Sequence, residues 1–290
     1  MLKTHGVGAL IGLAIGDAMG APLEGLHPPL MTVTEMEGGG IHDVLPGQYT
    51  DDTLQAAALA QTLLACGGFD PDDFVRRLVW VYHTNPDFFG PTSRAVLDLI
   101  ESGIPAGTAA RQVHEERGGS RSNGCVMRGI PIGIFYPPDE VREVSLAASR
   151  VTHFDPAAGE ASAFVNRMVS GMCRGEEAAT SFGRALRACR DHELLGMLED
   201  YRAYPPVPSL DAIVCTHCAV RVFMGARSFK DAVIAAINLG GDADTVGAIT
   251  GGLAGARFGF EAIPSSWLAR LRDRDELLSL AWRLAGVSRP

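Results

Sequence analysis

Apolar residues recur three and four positions apart along most of the chain, the spacing of one helix face. This pattern predicts helices over about 6–20, 52–66, 71–84, 92–102, 106–117, 125–135, 141–150, 157–174, 176–190, 210–225, 229–239, 245–258 and 265–286, the last one broken. Several starts are marked by residues that suit a helix N-terminus. Asp70 precedes Pro71, an N-cap followed by a proline at the first helical position. Pro156 opens the segment 157–174, and Ser228 caps 229–239. No alternating run of β-branched residues exceeds a few positions. The predicted fold class is therefore all-α, a compact many-helix domain. The Pro-rich stretch Tyr204–Pro208 is the strongest candidate boundary, but the site derived below draws on both sides of it, so residues 1–290 read as a single domain.

Two of these helices share a spacing. Gly8, Gly12, Gly16 and Gly20 stand four apart, and so do Gly247, Gly251, Gly255 and Gly259. Each row leaves one ridge of a helix bare. An interior glycine costs ~1 kcal/mol relative to alanine, so something must offset the cost, and close approach of another backbone is the natural candidate. Both helices are expected in the tightly packed centre, against each other.

Composition narrows the class. The chain is 47% hydrophobic and 20% charged, which excludes a disordered chain, a coiled coil and a disulfide-stapled miniprotein. The formal net charge is −9 and no Lys/Arg cluster breaks it, which argues against a nucleic-acid partner. The six cysteines are scattered through apolar stretches and suit a reducing compartment. Cys215 and Cys218 form a C-x-x-C, but no second pair accompanies them to complete a zinc site. The apolar run from Val7 to Ile15 resembles the core of a signal peptide, yet Asp17 interrupts it and no stretch reaches the ~20 residues of a membrane span. It reads as the buried first helix of a cytoplasmic protein with no membrane partner.

The chemistry concentrates in two short stretches. Thr50-Asp51-Asp52-Thr53 leads into one helix, and Gly240-Gly241-Asp242-Ala243-Asp244-Thr245 into another. Helix capping is the simplest explanation, because Asp and Thr are favoured caps and acids suit the positive end of the helix dipole. One cap needs one oxygen, however, and each stretch supplies two acids and a hydroxyl. Four carboxylates in Gly-rich, apolar surroundings call for a cation, and their hard oxygens suit Mg²⁺, Mn²⁺ or Ca²⁺. Four Asp would balance two divalent ions, with Thr50 and Thr245 adding neutral oxygens. Spacing alone leaves both explanations open. The small-residue loop from Gly118 to Gly124, set before a helix, is a candidate anion cradle, or an ordinary flexible loop.

These two stretches resemble the paired signature of the ADP-ribosylglycohydrolase family. Three further blocks are similar to that family and keep its order: Gly8–Gly20 running on to Pro22-Leu23-Glu24, Ser122–Arg128, and Val151-Thr152-His153. Together they span residues 6 to about 259. The resemblance implies an all-α fold and a centre of two divalent cations, Mg²⁺ or Mn²⁺, held by Thr50, Asp51, Asp52, Asp242, Asp244 and Thr245. It implies catalytic roles for Glu24 and for the metal-bound Asp51 and Asp244, and contacts to diphosphate and ribose from Ser122, Asn123, Gly124 and Cys125. His153 would line the same cleft, and Arg128 could face a phosphate or sit in a surface salt bridge. The implied reaction is hydrolysis of the glycosidic bond at ribose C1″, and the implied partner is an ADP-ribosylated protein, arginine-linked first, or a small ADP-ribose adduct.

The chain also departs from the family's pattern. Phe88-Phe89 precede Gly90-Pro91-Thr92 where many members carry an acid, and the nearest acid, Asp87, is displaced by one residue. If Asp87 reaches the cleft, it would read an arginine leaving group; if it does not, neutral leaving groups gain. Cys125 stands where Ser, Ala or Gly is common, and Cys215 replaces a frequent Asp. The rival reading is a non-catalytic relative, structural or toxin-blocking, which retention of all six predicted ligands disfavours. Other all-α metalloenzymes fit less well: Asp51-Asp52-Thr53-Leu54-Gln55 lacks the third acid of an Asp-Asp-x-x-Asp run, and His42-Asp43 lies in a Gly-rich loop without helical His partners.

Overall fold

A computed structural model describes residues 2–287 and 289. The helices are α1 (Lys3–Gly20), α2 (Asp51–Cys66), α3 (Pro71–Thr84), α4 (Pro91–Glu101), α5 (Ala106–Glu116), α6 (Gly124–Met127), α7 (Ile130–Phe135), α8 (Pro138–Ser149), α9 (Pro156–Cys173), α10 (Ala178–Ala188), α11 (His192–Glu199), α12 (Ala212–Gly225), α13 (Phe229–Ile237), α14 (Ala243–Phe258), α15 (Ser265–Arg270) and α16 (Arg274–Gly286). Among the described residues there is no sheet, only two isolated bridges, Gly39 with Val44 and Ser122 with Asp211. The all-α expectation holds. The marked starts hold too: Asp70 accepts the Asp73 N–H, Ser228 accepts the Asp231 N–H, and Asp155, just before Pro156, accepts those of Ala157 and Ala158.

Three boundaries differ from the periodic reading. The segment 125–135 is two helices, because the chain turns at Arg128-Gly129 before Pro131. Residues 192–199, where the periodic pattern predicts no helix, form α11, capped by Asp191. The broken C-terminal helix is interrupted at Leu271–Asp273, where Asp273 adopts a positive φ of 49°.

The centre of the molecule is the antiparallel pair α1 and α14. The two glycine rows face each other: Gly8 meets Gly255, Gly12 meets Gly251, Gly16 meets Gly247, and Gly20 meets the carbonyl of Ala243. A Cβ on Gly16 would collide with the Gly247 carbonyl, and one on Gly247 with the Gly16 carbonyl. Backbone contact at this distance supplies the compensation that the glycines require. The span Lys3–Leu23 is long and apolar enough to cross a membrane, but the whole of its apolar window is buried inside the protein. One continuous apolar core surrounds the pair and draws residues from Val7 to Ala285.

The seam also fixes the site. Because the helices are antiparallel, the C-terminal end of α1 lies beside the first turn of α14. The turn after α1 is then laced to the turn before α14: Gly25 donates its N–H to the Gly241 carbonyl (2.7 Å), and Gly241 donates to Leu26 (2.8 Å). Gly240 and Gly241 both take positive φ there, 68° and 60°.

Candidate active site

At this end of the α1–α14 pair lies a cavity of about 110 Å³. Glu24 from the turn after α1, Asp51 and Asp52 from α2, and Asp242, Asp244 and Thr245 from α14 line it together. Ser122, Asn123, Gly124 and His153 form a second wall, and Phe88 and Thr92 part of a third. The two acidic stretches, some 190 residues apart in sequence, therefore meet in one cavity. A larger groove of about 1030 Å³ runs between α2, α3 and α16. Its buried acid, Asp73, is paired with Arg76 and Arg77.

The start of α2 is organised by a residue from α1. Asp17, fully buried, accepts the backbone N–H groups of Thr50 (2.9 Å) and Thr53 (3.0 Å) and the hydroxyls of both, at 2.9 and 2.6 Å. Thr50 occupies the N-cap position but its side chain caps nothing, and neither does that of Asp242 at α14. The capping explanation thus fails for Asp51 and Asp52: Asp17 supplies the cap, leaving both acids free to face the cavity. Asp242 is held from outside its helix as well. Asn123 donates its side-chain N–H to Asp242 (2.5 Å) and to the Ser209 carbonyl (3.2 Å), and its backbone N–H to Leu210.

Among the described residues, no lysine or arginine lines the cavity. Burial, reinforced by the Asp244 charge, pushes the carboxyls of Asp51, Asp52 and Asp242 well above the usual carboxylate range. Burial raises Asp244 also, opposed by the Thr245 N–H. Burial and then the Asp244 and Asp17 charges push Glu24 up to about 8. Asp17 reaches about 7 through burial, against the hydrogen bond from Thr53. Three buried oxygens, Glu24 Oε2, Asp52 Oδ2 and Asp244 Oδ1, have no hydrogen-bond partner among the described residues. His42 Nε2 lies 3.0 Å from Glu24 Oε2, but the contact lacks hydrogen-bond direction. Orphaned buried carboxylate oxygens are costly unless a cation or proton satisfies them. These hard oxygens are the donors that could hold a divalent cation. Among the described residues no three acid, imidazole or thiol groups are yet drawn to one point, so the acids ring an open space and do not form a closed cage.

Four sequence expectations are corrected. The Thr50 hydroxyl points to Asp17 and the residue does not line the cavity, whereas Thr245 does. Arg128 faces neither phosphate nor solvent. It is fully buried, bonded to Gln55 (2.8 Å), Thr152 (2.8 Å) and the Ala148 carbonyl (3.1 Å), because its helix ends at Met127 and the chain turns it inward. Cys125 is buried away from the cavity, its thiol on the Ala158 carbonyl (3.4 Å). Asp87 is exposed on the turn Pro86–Phe88, whose geometry sends Phe88 to the cavity wall, edge-on to His42. Phe89, by contrast, is buried against Tyr82.

Three residues that organise the site were given no role in the sequence reading: Asp17, Gln55 and Thr152. Gln55 donates to Asp51 (2.6 Å) from one helical turn away. A glutamine four residues after an acid, inside an Ala/Leu helix, is the signal that could have found it. Cys215 is fully buried behind Asp242 and Asn123, and the C-x-x-C thiols are free.

Comparison with known proteins places the chain among relatives. The family model described as ADP-ribosylglycohydrolase matches residues 2–290. The chain is 32% identical to the ADP-ribosyl-[dinitrogen reductase] glycohydrolase of Rhodospirillum rubrum, with 95% of this chain and 96% of that protein covered. It is 31% identical to the ADP-ribosylarginine hydrolase Tri1 of Serratia proteamaculans, covering 96% of this chain and 78% of the relative. A solved structure titled ADP-ribosylglycohydrolase-related protein complex superposes with a TM-score of 0.87 at 34% identity, over 99% of both chains. A model match along almost the whole chain, together with a relative at 32% identity that is covered nearly end to end, identifies the lineage: this chain belongs to the ADP-ribosylglycohydrolase family.

Proposed function

We propose that this ADP-ribosylglycohydrolase is a cytoplasmic, metal-dependent hydrolase that cleaves the glycosidic bond at ribose C1″ of ADP-ribosyl adducts on protein side chains. The observation that carries the reading is one cavity with three orphaned carboxylate oxygens and, among the described residues, no lysine or arginine in its lining. Asp51, Asp52, Asp242, Asp244 and Thr245 would hold two divalent cations, Mg²⁺ or Mn²⁺, with Thr50 joining only if its hydroxyl turns from Asp17. Such cations, when bound, supply positive charge that orients the ribose hydroxyls and acidifies a water.

The remaining work falls to the chain. Glu24 sits at the rim, where its carboxylate can accept a proton at Oε2 and return it. Asn123 holds Asp242 in place, and Asp17 does the same for the start of α2. Phe88 gives the mouth an apolar side that limits entry of bulk water and leaves the one reacting water as the nucleophile.

Arginine-linked ADP-ribose is the first substrate, by analogy with the named activity of the Serratia relative. A second reading rests on one observation: Asp87 stands outside the cavity and Phe88 inside it. An apolar wall cannot pair with a guanidinium, which favours neutral leaving groups such as a serine oxygen or an acetyl ester. The test is ADP-ribose release from arginine-linked, serine-linked and O-acetyl substrates, each with Mg²⁺, with Mn²⁺ and with chelator. Turnover that survives chelator would remove the metal-dependent reading. Preference for one linkage decides between the two substrates.

A further inference from the structure

A chain of buried hydrogen bonds runs behind the cavity and connects its two walls. It begins at Asp51, which accepts from Gln55 Nε2 (2.6 Å). Gln55 Oε1 in turn accepts from Arg128 Nη1 (2.8 Å). The orientation of that amide is forced, because a guanidinium can only donate and the carboxylate accepts. The second arm of Arg128 donates through Nη2 to Thr152 Oγ1 (2.8 Å), and Thr152 Oγ1 stands 2.8 Å from His153 Nδ1. Arg128, Gln55, Thr152 and His153 are all buried, and the guanidinium lies 5.3 Å above the Phe74 ring with, among the described residues, no carboxylate in direct contact.

The proton count along this chain has one solution that leaves no hydroxyl hydrogen unpaired. The Thr152 hydroxyl already receives Arg128, which cannot accept a bond in return. Among the described residues its hydroxyl hydrogen has one remaining acceptor within reach, His153 Nδ1. With Nδ1 accepting, the imidazole proton must reside on Nε2. That edge of the ring faces Gly124, where a Cβ would come within 2.9 Å of Nε2, and His153 lines the cavity. His153 Nε2 has no protein partner among the described residues.

We propose that Arg128 is a positioning residue which, through Thr152, fixes His153 in the Nε2–H form and presents that N–H to an acceptor oxygen of the ADP-ribosyl group. His153 is then a neutral donor in the cleft and not a proton-transfer group. Burial and the Arg128 charge hold its pKa well below the ordinary imidazole range, in keeping with that geometry. The choice of ligand rests on the function proposed above; the tautomer does not.

The test separates the two. Nitrogen-15 NMR of the imidazole side chains in the full-length protein, with no ligand, reports which ring nitrogen of His153 is protonated, and a His153→Gln variant assigns the signal. The expected pattern is a protonated Nε2 and a bare Nδ1. A protonated Nδ1 overturns the proposal without any variant. Thr152→Val, which keeps the shape and removes the hydroxyl, is expected to release the fixed tautomer and to weaken ADP-ribose binding by about five- to tenfold, the worth of one neutral hydrogen bond. Thr152→Ser is expected to restore both. An unchanged tautomer and unchanged affinity in a folded Thr152→Val protein overturn the relay. If wild type shows the expected tautomer yet binds no ADP-ribose by calorimetry, the proposed ligand falls and the fixed tautomer stands.

Discussion

The α1–α14 seam and the acidic cavity at its end are adjacent in space and opposite in physics. Along the seam there are no side chains to remove, and any added atom strikes backbone. In the cavity there is charge to spare, and removing some relieves repulsion among buried carboxyls. Gly16 and Asp17 are consecutive residues that belong to these two regimes. Gly16 touches the Gly247 carbonyl, and Asp17 reaches across to the start of α2. Tight packing at one residue thus sets the position of the carboxylate at the next. The lesson is that the stabilising part of this fold and the costly part share one helix, so a rigid seam can carry a site that is itself destabilising.

The most severe way to break this contrast is Gly16→Leu. The side chain would have to displace helix backbone, so the loss should exceed the ~1–3 kcal/mol of ordinary overpacking and leave little folded protein in a denaturant titration. Gly196→Ala is the control: open space surrounds that helical glycine, and a gain of up to ~1 kcal/mol is expected. Next in size is Asp242→Asn. Turnover should fall by at least about a hundredfold, through lost cation binding, while thermal melts in chelator show a fold no less stable than wild type. A large loss of metal-free stability would instead mean that Asp242 is structural.

Asp17→Asn should do the reverse of Asp242→Asn. Its amide would point a donor at Thr50 or Thr53, costing ~1–3 kcal/mol in denaturant melts even without metal. A milder effect is expected from pH. The carboxyls of Asp17 and Glu24 have folded values near 7 and 8, above their ordinary values of 3.8 and 4.5. The folded state therefore binds more protons than the unfolded one across this interval. Stability of the metal-free protein should be full below about pH 4 as far as these groups are concerned, and should decline as pH rises through 7 to 8. Calorimetric melts in chelator would read this as a fall of a few degrees, reversed by Mn²⁺ or Mg²⁺. A melting temperature that rises over the same interval would contradict the raised carboxyls. The smallest effect is assigned to Asp87→Asn: with the side chain outside the cavity, kcat/KM on arginine-linked substrate should change less than twofold.

Much of this architecture was legible in the sequence because its signals are local. Helix starts such as Asp70-Pro71 and Ser228 carry their caps within three residues, and the glycine rows announce close backbone approach at four-residue spacing. The two acidic stretches were recognisable for the same reason. What stayed hidden depends on distant partners. Asp17 reads as an interruption in an apolar run until Thr50 and Thr53 are beside it. Arg128 reads as a phosphate contact because nothing nearby in sequence shows that Gln55 and Thr152 will enclose it. The helix at 192–199 is only eight residues long, too short for a period of 3.6 to declare itself.

The glycine seam has a consequence for how chains of this kind can change length. A residue inserted in α1 between Gly16 and Gly20 would turn everything after it by ~100° and advance it by ~1.5 Å. Gly20 would then leave its place against the Ala243 carbonyl, and Glu24 its place beside Asp244. The same holds for α14 between Asp244 and Gly247. Substitution can still explore the cavity one side chain at a time, but insertions and deletions are confined to segments that do not pass through the seam, such as the irregular stretch from Gly25 to Tyr49 and the connection from Asp200 to Asp211. The two helices act as a ruler of fixed length, and divergence in size among relatives should collect in the loops around it.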